Sequence, residues 1–187
     1  MINWDEVEKK IQSVSIKQTI KENCTLDERK VIDEHIINMR NNIALVQKFF
    51  TNISLSSEIA SFTFLLNILF ITEALGVDIN LLIFALMLKG YSDSTLITSS
   101  FDGLFYERLI DRLRFLNKYG FEFLSEIIPR ELRNDVAHQN FNIESDGTIF
   151  ITHKKRRGEF TQERLNEVLD NMLRYVKIMQ NEFPPEK

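Results

Sequence analysis

A chain of 187 residues with 44% apolar content, six Gly and three Pro is long enough to fill one sizeable core and too poor in turn residues for a strand-and-turn architecture. Its formal charge of −4 argues against a surface that coats nucleic acid everywhere, so any contact with RNA is expected to be local. The single Cys24 permits neither an internal disulfide nor a multi-cysteine zinc site, which fits a reducing, cytoplasmic setting.

The expected fold is an all-α, multi-helix bundle with a small β-hairpin before the last helix. Asn3 and Glu6 have the spacing of a capping box and open a short helix to about Ser13. Thr25 and Glu28 repeat that signature ahead of Val31, Ile32, Ile36, Met39, Ile43 and Val46, a helical stripe that reaches Phe50. Ser56 or Ser57 caps a third helix that Gly76 is expected to stop; Asp78 caps a fourth that ends at Gly90. The apolar runs Phe62 to Ile71 and Ile79 to Leu88 each fall short of the roughly 20 residues that span a bilayer, so both read as core helices and no membrane is expected. The opening Met1-Ile2-Asn3-Trp4-Asp5-Glu6 lacks the basic region and apolar run of a secretory signal, so secretion is not expected.

Residues 91–100, rich in Ser and Thr, read as a loop. Leu104, Phe105, Leu109, Ile110, Leu113 and Leu116 then place a helix from about Phe101 to Lys118. Pro129 suits the first position of a short helix over residues 129–139. Phe141 to Glu144, the Asp146-Gly147 turn and Thr148 to Ile151 spell a hairpin, and Thr161 caps a closing helix to about Glu182. Residues 1–100 thus form an N-terminal helical layer of the same globule. Residues 101–187 form a module with a motif helix at 130–139, a hairpin at 141–151 and a last helix at 161–182.

The motif helix carries Glu131-Leu132-Arg133-Asn134-Asp135-Val136-Ala137-His138. On a helix Asn134, His138 and Glu131 share one face, with Leu132 and Val136 as the ridge that anchors it. Arg133 sits about 140° away from His138 around an ideal helix, so the two converge only through the length of the Arg side chain or a local change in the helix. Cleaving RNA without a metal needs a base for the 2′-hydroxyl, an acid for the leaving 5′-oxygen and positive charge on the phosphorane. Imidazole suits either proton-transfer role, guanidinium suits the third, and Asn134 can fix the imidazole or a phosphate oxygen. The rival reading pairs Arg133 with a carboxylate and lets His138 cap or pack locally. His35, on the long second helix, reads as structural.

Arg133, Asn134, a three-residue spacer and His138 resemble the signature of HEPN domains, and the likeness runs from about Phe101 through the motif and hairpin to Phe183. The resemblance implies a helical, commonly dimeric protein and metal-independent endoribonuclease activity of the kind found in toxin, antiviral-defence and RNA-processing systems. Other members only bind RNA or nucleotide, or serve in protein interaction. Some toxin members carry Tyr two residues after the His; this chain has Asn140 there, which puts in doubt regulation through that Tyr. No cofactor and no metal are expected. The expected partners are RNA, a second copy of the chain and an inhibitory protein. Lys154, Lys155, Arg156 and Arg157, beside His153, read either as a solvated loop or as an electrostatic track for RNA.

Overall fold

The computed structural model describes residues 2–50, 57–151 and 158–184. Their order is α1 (Trp4–Val14), α2 (Ile16–Asn23), α3 (Leu26–Phe50), α4 (Ser57–Leu88), a 3₁₀ turn (Asp102–Tyr106), α5 (Leu109–Lys118), α6 (Phe123–Ile127), α7 (Arg130–Ala137), β1 (Phe141–Ile143), β2 (Ile149–Ile151), β3 (Gly158–Phe160) and α8 (Gln162–Glu182). This is the expected helical bundle, with a small antiparallel sheet ahead of the last helix. Two of the predicted caps are formed. The Thr25 and Glu28 side chains exchange hydrogen bonds with each other's backbone N–H, and Thr161 Oγ1 accepts from the Arg164 N–H at 3.3 Å. Asn3 precedes α1 without capping it through its side chain.

The largest departure from expectation is α4. Gly76 neither stops a helix nor separates two, and Asp78 caps nothing; both lie inside one helix of 32 residues. A glycine in a helix costs about 1 kcal/mol relative to Ala. Its neighbours Leu75, Val77, Ile79, Leu81, Leu82 and Ile83 are all buried, and each such burial is worth about 1.5–3 kcal/mol, so packing overrides the break. Joined, the two apolar runs make a helix long and apolar enough to cross a membrane, which neither run is alone. Its most apolar stretch is 78% buried inside the bundle.

That burial follows from position, since α4 packs against α1, α2, α3, α5, α7, α8 and β1. From α3 it receives Ile32, Ile36, Met39 and Ile43, and α8 adds Met172, Tyr175, Val176 and Met179 to the same core. Other differences are local. A second short helix, α2, follows the left-handed Ser15 (φ 51°). The single helix expected over residues 101–118 divides at Glu107 and Arg108, both with extended or non-helical backbone, which leaves Phe105 partly exposed while Leu104, Leu113 and Leu116 stay buried. The hairpin pairs Phe141 with Ile151 and Ile143 with Ile149, and a third strand, β3, extends it through Ile149 opposite Phe160. Ile149 and Ile151 face inward and Phe150 outward, the alternation a half-buried sheet requires.

The core also holds polar groups. Asp78 and Tyr175 are 1% and 0% exposed, and neither Asp78 Oδ2 nor the Tyr175 hydroxyl has a hydrogen-bond partner. Burial raises both above their ordinary values, Asp78 to about 7 against the pull of Arg40, and Tyr175 further through the nearby Asp78 carboxyl. Because an unsatisfied buried hydroxyl costs about 1–3 kcal/mol, Tyr175→Phe is expected to leave stability unchanged or raise it, read as an equal or higher melting temperature. A clear fall would show that the hydroxyl is bonded. Cys24 is half-buried, and burial pushes its thiol up. His35 stacks on Phe105 with centroids 4.6 Å apart and meets Phe101 edge-on at 5.8 Å.

Candidate functional site

α7 is held at both ends. Pro129 stands just before the helix rather than as its first residue, and its carbonyl accepts from the Arg133 N–H at 2.8 Å. At the far end His138 is the last half-helical residue, and Gln139 turns left-handed with φ 56°. The Gln139 N–H then donates to the Val136 carbonyl at 3.1 Å and the Asn140 N–H to the Asp135 carbonyl at 2.8 Å. This double closure satisfies carbonyls that a helix end otherwise leaves bare. It uses a non-glycine residue in a conformation that costs about 1–2 kcal/mol. Leu132 and Val136 are buried and fasten the helix to the bundle, as the spacing predicts. The backbone under His138 is therefore fixed, while its side chain is exposed.

Arg133 turns away from His138. Its Nε donates to Glu73 Oε1 on α4 at 2.6 Å, its Nη2 contacts the same oxygen, and its Nη1 donates to Asn134 Oδ1 at 3.0 Å. Among the described residues no hydrogen bond joins the side chain of Arg133 or Asn134 to the imidazole. The structure thus brings Arg133 and Asn134 together and leaves His138 one helical turn beyond Asn134 on the same row. Lys154, Lys155, Arg156 and Arg157, with His153, lie outside the described residues.

Arg133 and Asn134 belong to a cavity of about 450 Å³ between α4, α5 and α7, which also takes in Arg108, Arg112 and Arg130. Sequence reasoning singled out none of these three, nor Glu73. They stand on three separate elements, and nothing in local spacing announces that α4 and α5 close over α7. Arg112 is the most enclosed of them. Its Nη1 donates to Asn80 Oδ1 at 2.8 Å and to the Gly76 carbonyl at 3.3 Å, and its Nε is buried with no partner. Burial pushes its guanidinium below the usual arginine range; Glu73 and Glu107 oppose that shift and Arg133 adds to it.

A second surface runs into the same place. Ile59, Phe62 and Phe70 on α4 are 52%, 44% and 52% exposed, and with the partly exposed Leu66 they follow the 3,4 spacing of one helix face that arrives at Glu73. No family model, curated protein or solved structure matches the chain.

Proposed function

We propose that the chain is a metal-independent endoribonuclease of HEPN type, in which His138 moves protons and Arg133 holds the scissile phosphate. The observation that carries this reading is an exposed imidazole on a firmly closed helix end, one turn beyond an arginine-lined cavity to which Arg133 and Asn134 contribute. Histidine titrates near neutrality and can serve as base or acid, and a guanidinium matches two phosphate oxygens. Transesterification needs both an acid and a base, yet each chain offers one motif histidine. We therefore assign the working site to a two-fold dimer whose facing α7 helices supply both. The exposed stripe of Ile59, Phe62 and Phe70 is suited to such an interface because it runs to the Glu73 and Arg133 pair. A toxin or defence role, with an inhibitory partner protein, fits such an enzyme.

Cleavage of mixed cellular RNA is expected to survive excess EDTA, since imidazole and guanidinium supply the proton transfer and the charge. Loss of cleavage on chelation, restored by magnesium with the protein still folded, would overturn the reading. One observation favours a second reading, a catalytically silent module that binds RNA or nucleotide: Glu73 occupies Arg133. The same RNA assay separates the two, because the silent module retains RNA without shortening it.

A further inference from the structure

We propose that the last turn of α8 is a proton-controlled latch, in which the Asp78 carboxylate and the Phe183 carbonyl compete for one guanidinium, that of Arg40. The inference is independent of the ribonuclease reading, since none of the three groups lines the cavity at Arg133. Its first support is the way α8 ends. The carbonyls of a last turn have no partners within their own helix, and a cation placed there donates to them and answers the helix dipole. α8 has no basic residue in its last turn, and Pro184 after it has no N–H to offer. The cation comes instead from α3, where Arg40 Nη2 donates to the Phe183 carbonyl across 143 residues of chain. Phe183 itself is buried, so the end of α8 is fastened to the bundle at this point.

The second support is an unmatched pair beside that fastening. Asp78 Oδ2 on α4 and Arg40 Nε on α3 are both buried without a hydrogen-bond partner. Each group acts on the other's charge, yet among the described residues no ion pair within 4 Å joins them. A protonated carboxyl asks nothing of the guanidinium, which stays on Phe183. An ionised one, cut off from water, costs stability unless a cation answers it. Two opposite charges attract more strongly than a charge and a carbonyl dipole at low dielectric, so the guanidinium moves toward α4. No other described group supplies that charge. On α8 the facing group is Tyr175, a neutral phenol. On α5 Arg112 is engaged with Asn80 and the Gly76 carbonyl, and on α7 Arg133 is paired with Glu73. The buried residues of α1, α2 and the 3₁₀ turn carry no charge, nor does β1. Asp33, on α3 with Arg40, also draws on that guanidinium. Burial lifts the Asp78 carboxyl to about 7, so the end of α8 is fastened below neutrality and loosened above it.

The test is amide hydrogen exchange of the full chain at about pH 6 and about pH 8, each rate divided by the intrinsic rate at that pH. The amides of residues 180–183 are expected to lose about tenfold of their protection at the higher pH, while the locally opening amides of α2 keep theirs. Asp78→Asn preserves the shape of the group and cannot ionise, so it is expected to keep the end of α8 protected at both values. Arg40→Gln is expected to leave it poorly protected at both. Tyr175→Phe is expected to follow the unmodified chain. Should Arg40→Gln fail to fold, Asp78→Asn decides. Protection of residues 180–183 that does not change with pH, or that falls equally in Asp78→Asn, would overturn the proposal. So would a loss of the pH dependence in Tyr175→Phe, which would assign the response to the phenol. A fall spread evenly over all helices would also overturn it, because global stability alone then accounts for the change.

Discussion

Replacing His138 with Ala is expected to lower RNA cleavage by about 10²–10⁴-fold, the usual worth of a positioned general acid or base, while melting temperature stays the same. The side chain is exposed at the end of α7, and the closure around it is made by the backbone groups of Asp135, Val136, Gln139 and Asn140. Ala changes none of these. Arg133→Ala is expected to cost about 10²–10³-fold, because it removes charge from the developing phosphorane. It should cost at most about 1 kcal/mol of stability, since the ion pair it breaks with Glu73 is partly solvated. Mixing the two variants asks whether both subunits feed one site. If each chain carries half of the apparatus, the mixture cuts faster than either variant alone. A fully active monomer by sedimentation at assay concentration would sink the shared site, and a fully active His138→Ala chain would sink the assignment of the imidazole.

The second large effect concerns the core. The Asp78 carboxyl is raised from 3.8 to about 7 in the folded chain. Between those values the folded state holds a proton that the unfolded state has released, so stability from this group is complete below about pH 4, declines as pH rises, and is gone above about pH 7. A shift of this size corresponds to on the order of 4 kcal/mol across the window. Asp78→Asn keeps the shape and removes the titration. The stability of Asp78→Asn minus that of the unmodified chain, from denaturant unfolding, is therefore expected to grow by several kcal/mol from pH 4 to pH 8. Groups that titrate equally in both proteins cancel from this difference. A difference that stays constant with pH would show that Asp78 keeps an ordinary carboxyl.

What was legible in the sequence was whatever local spacing decides. The stripe from Ile32 to Ile43, the caps at Thr25 and Thr161, the Asp146-Gly147 turn and the anchoring of α7 by Leu132 and Val136 all appear as the pattern requires. Failures arose where burial overrode a local signal. Gly76 and Asp78 look like a stop and a start, but the apolar residues on both sides gain more by continuing than the helix loses. The candidate site divides in the same way. Arg133, Asn134 and His138 could be selected because they lie on one short segment. Glu73, Arg112 and Arg130 could not, since only the tertiary approach of α4 and α5 to α7 makes them neighbours.

The central position of α4 has a consequence for synthesis. Its residues leave the ribosome well before α7 and α8, which cover part of it in the finished bundle. During that interval a long apolar helix has only α1, α2 and α3 to lean on, and the surfaces that later face α5, α7 and α8 are bare. Such a nascent intermediate is open to chaperone capture, misassociation with another unfinished chain, or adsorption to a bilayer. Slowing elongation just after α4 would lengthen that exposure, and slowing it after α8 would not. Yield in the cell should therefore respond to codon choice in residues 89–160 more than to the modest energies of the surface ion pairs.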